Sequence, residues 1–346
     1  MEKIKLSICM ATYMRGSFIA ETLDSIAPQL IKGVELIILD GASPDNTEEV
    51  VASYVSRNPR IKYIRADINS GVDQDYDKAV SYASGDYCWL MTDDDLLVPG
   101  AIERVLRLIA ENPDLIVVNS KVMTADLKGL LSTAILPLDG LTCYTELESD
   151  RFFAETASYL SFIGCVVIRR ALWGKRQRSK YYGTLFIHVG VIFQDLLNLA
   201  LVIREPQIII RYGNAMWTSR GFEIWMFKWP KLVWSFKKYS NLTKNSVCPR
   251  YPWKSIKNLV LYRALGGYGL SEYGQYIRIN SSHMRRLISY VIALFPESVL
   301  NFAASFYCIF INKKALFGLY SLSISKYSTY ISRHFAQRLL KDIPRK

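Results

Sequence analysis

Asp93, Asp94 and Asp95 stand side by side directly after the apolar run YCWLM and a single Thr. Nothing basic within residues 85–100 balances them. A helix start accounts for part of the cluster, because Pro99 suits a first helical turn and acids favour the positive end of a helix dipole. That reason covers one or two of the carboxylates. Three at the end of a buried strand make a landing place for a hard cation, which takes oxygen ligands. Other side chains able to do chemistry lie at comparable points. Thr12 ends the run LSICMAT with Arg15 shortly after it, and Asp40 closes VELIILD. Asp195, in the segment FQDLL, is either a helix cap or a general base. Burial beside its apolar neighbours would raise its pKa toward use as a base. His188 is a candidate metal ligand set against a hydrogen-bonded structural role, and Asp95 is set against a role as cap of the next helix.

The elements that must position these groups are short and regular. Residues 6–12, 34–40, 61–66, 86–91 and 115–120 read as buried strands. Helical periods run over 17–30, from Ser43-Pro44 onward, from about Val72 to Ala83, and from Pro99 to Ala110. This alternation predicts an α/β fold: a Rossmann-like, mostly parallel sheet with helices on both faces. In such sheets ligands bind beyond the carboxyl ends of the strands. Thr12, Arg15, Asp40 and Asp93 to Asp95 all fall there. No GxGxxG and no GxxxxGK[ST] occurs, which excludes a dinucleotide fingerprint and a P-loop. Beyond residue 120 the pattern loosens: 162–170 reads as a strand, 174–188 as a loop, 188–203 as helix followed by strand, and the chain after 220 as helical and aromatic.

Charge divides the chain. Residues 211–346 carry 22 Lys+Arg against 4 Asp+Glu, whereas residues 1–210 carry 21 against 27. A boundary near 212/213 is expected, with a basic helical region over 213–346. Five of the seven tryptophans (Trp217, Trp225, Trp229, Trp234, Trp253) fall in that region. Basic and Trp-rich together favour an anionic membrane surface over a nucleic acid. Residues 222–240 stripe Phe222, Trp225, Trp229, Val233 and Phe236 at helical spacing, the pattern of an interfacial helix or of one packed on a core. Residues 287–311 are apolar but broken at Pro296, so neither half reaches the roughly 18 residues that a span needs. Six scattered cysteines without a CxxC pair read as free thiols in a reducing compartment. Arg15 comes too early for a signal peptide.

Five segments, in order, resemble family 2 glycosyltransferases. SICMATYMR is similar to an apolar strand followed by Pro-Thr-Tyr-Asn-Arg, with Ala11 for Pro and Met14 for Asn. LDGASPDNT resembles Asp-Asp-Gly-Ser-x-Asp-Asn-Thr, with Asp40 at the first Asp and Gly41 in place of the second. NSGV and DKAVSYASGDY resemble the segment that follows, with Tyr76 where an Arg is common and Asp77 where an Asn is common. LMTDDDLLVPG resembles the metal-binding acidic motif, and FQDLL the stretch carrying the presumed base, with Gln194 for Glu. The resemblance covers roughly residues 4–212. More faintly, the chain is similar to abequosyltransferase-type enzymes of O-antigen assembly.

The resemblance implies a GT-A fold and transfer of a sugar, such as a dideoxyhexose, from a CDP- or UDP-sugar donor to a lipid-linked oligosaccharide. It places Ala11, Thr12, Arg15, Asp40, Lys78 and Asp93 at the nucleotide. Asp40 would accept from uracil N3–H or the cytosine amino group, with a turn-forming Asp as the plain alternative. Asp94 aligns with the ligand of Mg²⁺ or Mn²⁺, and Asp195 with the base of an inverting transfer. The implied location is the cytoplasmic face of the inner membrane, held peripherally, with no nucleic-acid partner. Two other classes compete: a nucleotidyl- or phosphotransferase on the same kind of sheet, and a non-catalytic binding module with a degenerate transferase domain.

Overall fold

A computed structural model describes residues 3–137, 140–213, 218–311 and 316–341. Trp217 lies outside the described residues. The chain forms two compact units that interleave along the sequence. The first comprises Met1–Val122, Ser132–Arg211 and Phe236–Val247, and the second Met123–Leu131, Tyr212–Ser235 and Cys248–Lys346. The division therefore does not fall at a single cut near 212.

In the first unit β1 (Leu6–Thr12), β2 (Val34–Asp40), β3 (Ile61–Arg65) and β4 (Tyr87–Met91) alternate with α1 (Ile19–Ile26), α2 (Thr47–Val55) and α3 (Val72–Ser81). The strands pair in parallel in the order β3-β2-β1-β4. β2 and β4 are buried along their whole length, as strands covered on both faces must be. Parallel register carries Thr12 opposite Asp40, so the carboxyl ends of β1 and β2 lie level.

After β4 come β5 (Leu96–Leu97), α4 (Ala101–Ile109), β6 (Leu115–Thr124), β7 (Leu130–Ser132) and β8 (Thr142–Thr145). They are followed by α5 (Ser149–Thr156), β9 (Val166–Arg169), α6 (Arg170–Lys175), α7 (Ile187–Phe193) and β10 (Leu199–Tyr212). The sheet continues β4-β9-β6-β10-β5, and β9 is antiparallel to both β4 and β6. The half-sheet read most clearly from the sequence is thus the parallel one, and the remainder is mixed. Phe236 and Tyr239 return to this unit and pack against Phe153 and Phe193.

A buried carboxylate locks the end of the sheet opposite the strand carboxyl termini. Glu35 accepts hydrogen bonds from the Ser7 and Ser84 hydroxyls, the Ser84 N–H and Lys62 at 2.6–2.8 Å. Those bonds tie β1, β2, β3 and the approach to β4 together.

The second unit is helical. Residues 221–235 form one helical run whose middle, Ile224–Lys228, widens into a π turn just ahead of Pro230. Proline cannot donate to the preceding turn, and the wider turn absorbs that loss. The stripe on this run is buried, not interfacial. Phe222 packs with Met226, Trp253, Leu259, Tyr268 and Ile277, while Trp229, Val233 and Phe236 are likewise enclosed. Among the described residues no single helix is long and apolar enough to cross a membrane. His283–Leu294 and Glu297–Ile311, bent by 94° at Phe295-Pro296, meet that criterion only as a pair.

Candidate active site

Chain chemistry shapes the loop after β1. Met14 takes a positive φ of 56°, and three side chains from the next crossover hold the turn. Ser43 accepts the Met14 N–H, Thr47 the Arg15 N–H and Asp45 the Gly16 N–H, at 2.9–3.1 Å. The segment read as a helix start thus also aims Arg15. The Phe18 ring lies under both the Arg15 and Arg211 guanidiniums, 5.6 and 5.5 Å from its centroid.

Arg15 meets the acidic loop at the end of β4. Its Nε is 3.3 Å from Asp93 Oδ1 and its Nη2 3.2 Å from Asp94 Oδ2, with all three side chains largely buried. Burial, then the charge of Asp94, pushes Asp93 up to about 7 against the pull of Arg15. Burial also raises Asp94, opposed by Arg15 and Arg211. Arg15 thus faces both acids, with Arg211 acting on Asp94 as well. Tyr76, where a second cation would be common, is buried and donates to the Met91 carbonyl.

Asp95 takes a role that sequence reasoning did not foresee. It caps no helix: α4 begins at Ala101 after Gly100, without a side-chain cap. Its Oδ1 accepts the Arg211 N–H at 2.7 Å and its Oδ2 the Thr92 hydroxyl at 2.5 Å. Arg211 also donates to the Asp94 carbonyl and pairs with Glu21, so β10 and α1 buttress the loop.

Asp40 requires a correction. It is 0% exposed. Its Oδ1 accepts the Ser43 N–H, and its Oδ2 the Tyr63 hydroxyl at 2.6 Å and Arg65 at 3.3 Å. A carboxylate so enclosed anchors the turn after β2 and offers no oxygen to a base in this arrangement. Thr12 lies buried at the end of β1, its carbonyl accepting the Gly41 N–H, and Ala11 precedes it in the strand. Lys78 is exposed on α3 and donates to Ser70.

Asp195 differs from the expected apolar setting, whereas His188 takes the structural one of its two readings. Asp195 is exposed, with 58% of its side chain open, and its apolar neighbours do not bury it. It pairs with Arg176 and Lys238, each at 3.6 Å. Beside it an open cleft of about 450 Å³ is lined by Asp77, Arg176, Gln177, Arg178, Lys180 and Tyr182. His188 lies in the core with Nε2 2.8 Å from the Leu160 carbonyl, and burial lowers it to about 4. It is a neutral structural histidine, away from the acidic loop.

Sequence reasoning missed the three acids of α3. Asp73 accepts the Leu185 and Ile187 N–H groups. Asp77 accepts from Trp173, Arg178 and Tyr182 at 2.5–2.8 Å. Four residues apart, they share one helix face and hold the 173–187 segment. Asp75, half a turn away, faces β1 and β2.

Among the described residues no three His, Cys, Asp or Glu side chains are arranged to hold an ion by themselves. Asp93 and Asp94 are nevertheless hard oxygen donors side by side, which suits a cation that brings further oxygens with it.

The parallel half-sheet, its mixed extension and the acidic loop at its carboxyl edge define a glycosyltransferase fold of the GT-A type. Residues 7–152 match the profile of glycosyl transferase family 2, and this segment is a domain of that family. The chain is 26% identical over 230 residues to the abequosyltransferase RfbV of Salmonella typhimurium, covering 62% of this chain and 69% of that protein. Its fold is similar to Staphylococcus aureus TarS 1–349 solved with UDP, at a TM-score of 0.58 and 14% identity, covering 97% and 92% of the two chains. It is also similar to the Pyrobaculum calidifontis mannosyltransferase PcManGT solved with GDP-mannose and Mn²⁺, at a TM-score of 0.55 and 12% identity, covering 98% and 88%. The chain is a glycosyltransferase.

Proposed function

We propose that the protein transfers a sugar from a CDP- or UDP-sugar to a lipid-linked oligosaccharide during polysaccharide assembly at an anionic membrane surface. The observation that carries this reading is the buried Asp93–Asp94–Arg15 constellation at the carboxyl edge of β1 and β4. A departing nucleoside diphosphate needs its charge matched as it forms. Arg15 supplies one fixed positive group there. Asp94, with Asp93 beside it, would hold Mg²⁺ or Mn²⁺ together with diphosphate oxygens, and the cation would supply charge neutralisation at the leaving group. The similarity to an abequosyltransferase supports a deoxysugar donor and an O-antigen-like product, and the PcManGT complex supports the metal.

Asp195 is the candidate base. Exposed between Arg176 and Lys238, it can meet an acceptor hydroxyl from solvent, and the two cations orient it. The basic cleft beside it suits an acceptor bearing phosphate.

Membrane attachment rests on the second unit. Met284, Leu287, Val291, Leu294, Phe302, Phe306, Phe310 and Ile311 are all exposed on the bent helix pair. A large exposed apolar surface in a region with a strong basic excess matches an interfacial anchor.

The test is release of nucleoside diphosphate from a panel of nucleotide sugars in the presence of membrane-extracted lipid-linked acceptors. Activity with one donor, lost in Asp94→Asn and in EDTA, supports the reading. Turnover that continues in EDTA removes the metal from it.

A further inference from the structure

We infer that Asp75 reads the nucleobase of the donor, accepting an N–H from the base in place of the enclosed Asp40. The inference rests on the donor reading above and names the residue that gives it specificity.

Asp75 is 4% exposed, and its Oδ1 is a buried acceptor with no partner. An orphaned carboxylate oxygen is costly, and native chains keep one where a ligand satisfies it. Its position is as informative as its burial. A Cβ added to Gly41 would meet Asp75 Oδ2 at 3.0 Å, Asn69 Cγ at 3.6 Å and the Thr12 carbonyl at 3.6 Å. The Oδ2 of Asp75 therefore borders the space that a side chain at position 41 would enter, at the carboxyl ends of β1 and β2. In the motif that LDGASPDNT resembles, that position carries the second Asp. This chain has Gly41 there, just past β2, and brings a carboxylate close to the same point from α3.

The arrangement is built to persist. α3 packs on both β1 and β2, so Asp75 is fixed by the helix that carries it. Burial pushes its carboxyl up to about 6, and Lys78 and the Ser70 N–H only partly pull it back. One free oxygen accepts one N–H, as uracil N3–H, the cytosine amino group or guanine N1–H would offer. Thr12 and Asn69 border the same point, so the base would enter a polar corner rather than an apolar slot.

The experiment is calorimetric titration of the full chain with UDP, CDP, GDP and, separately, inorganic pyrophosphate, all with Mg²⁺. Asp75→Asn keeps the volume and removes the acceptor charge. A hydrogen bond to a charged group predicts a roughly 10- to 100-fold weaker affinity for the preferred nucleotide. Pyrophosphate binding should stay unchanged. The double variant Gly41→Asp with Asp75→Ala returns the carboxylate from β2 and should recover most of the loss, since Gly41 does not need a positive φ. Undiminished nucleotide affinity in Asp75→Asn overturns the inference. So does an equal fall for pyrophosphate and nucleotide, which would assign Asp75 to the fold. If the wild type binds pyrophosphate but no nucleotide, the donor reading itself fails and the inference with it.

Discussion

Asp94→Asn should stabilise the protein while destroying its activity. The substitution keeps the side chain's shape and removes one of two like charges facing Arg15. Asp93 is driven from the usual carboxylate range to about 7, first by burial and then by Asp94. That displacement is worth about 4 kcal/mol against the charged form. Burial is the larger cause, so relief from Asp94 recovers only the smaller part of it. Arg15, now 3.3 Å from a single carboxylate, becomes an ordinary buried ion pair with Asp93. The assay is urea unfolding at pH 8 with EDTA, where both carboxylates of the wild type are pressed toward ionisation and no cation relieves them. The variant should unfold at higher urea with an unchanged slope, against the usual destabilising sign of a point mutation. Sugar transfer by the same preparation should be lost. An Asp94→Asn protein less stable than wild type under these conditions would refute the electrostatic reasoning, because Asp94 would then be contributing net attraction.

Other outcomes follow from the same structure. Burial alone would raise Glu35, but hydrogen bonds from Lys62, Ser84 and Ser7 outweigh it and hold the carboxyl at about 2. Its stabilisation is therefore complete above pH 4.5 and disappears as pH falls through about 2, and the displacement is worth about 3 kcal/mol at pH 7. Glu35→Gln should lose about that much at pH 7 and progressively less toward pH 2, and a deficit independent of pH would count against the assignment. Asp195→Asn should lower the transfer rate by roughly 100-fold with donor affinity unchanged, and a parallel loss of donor binding would make it structural. Replacing Leu287 and Phe306 together by Glu should abolish flotation with anionic liposomes without lowering the melting temperature, because both side chains are exposed. Retained flotation would move the membrane contact elsewhere.

The parallel half-sheet was legible because β1, β2 and β4 are short, mostly apolar runs and a Pro, Ser or Gly punctuates the crossovers. The strand at 162–170 and the one after 188 were also legible, but not their antiparallel place in the sheet, because β9 pairs with strands distant in sequence. Arg15 and Asp93 to Asp95 were found by type and place. Asp40 was found for its place alone, and its closure depends on Tyr63 and Arg65, which reach it only once β3 lies beside β2. Asp75 was missed because three acids at alternate positions of a helix read as a solvated face, and only the packing of α3 shows one of them turned inward. Asp195 was expected in an apolar setting because its sequence neighbours are apolar, yet it lies past the end of α7 and faces solvent. The Trp-rich stripe left a core face and an interfacial face both open, because amphipathic spacing is the same for the two, and only the packing around Phe222 distinguishes them.

The central claim is that the pocket of Arg15, Asp93 and Asp94 binds a nucleotide-sugar donor with a divalent cation. Thermal shift against UDP, CDP, GDP and dTDP, each with and without Mn²⁺, tests it most directly. Ligand at about 100 times its Kd stabilises by about 2.7 kcal/mol, a shift of several degrees. The account predicts that UDP or CDP raises the melting temperature, that Mn²⁺ enlarges the rise, and that Asp94→Asn abolishes the enlargement. No shift with any of the four nucleotides, with or without Mn²⁺, would contradict it.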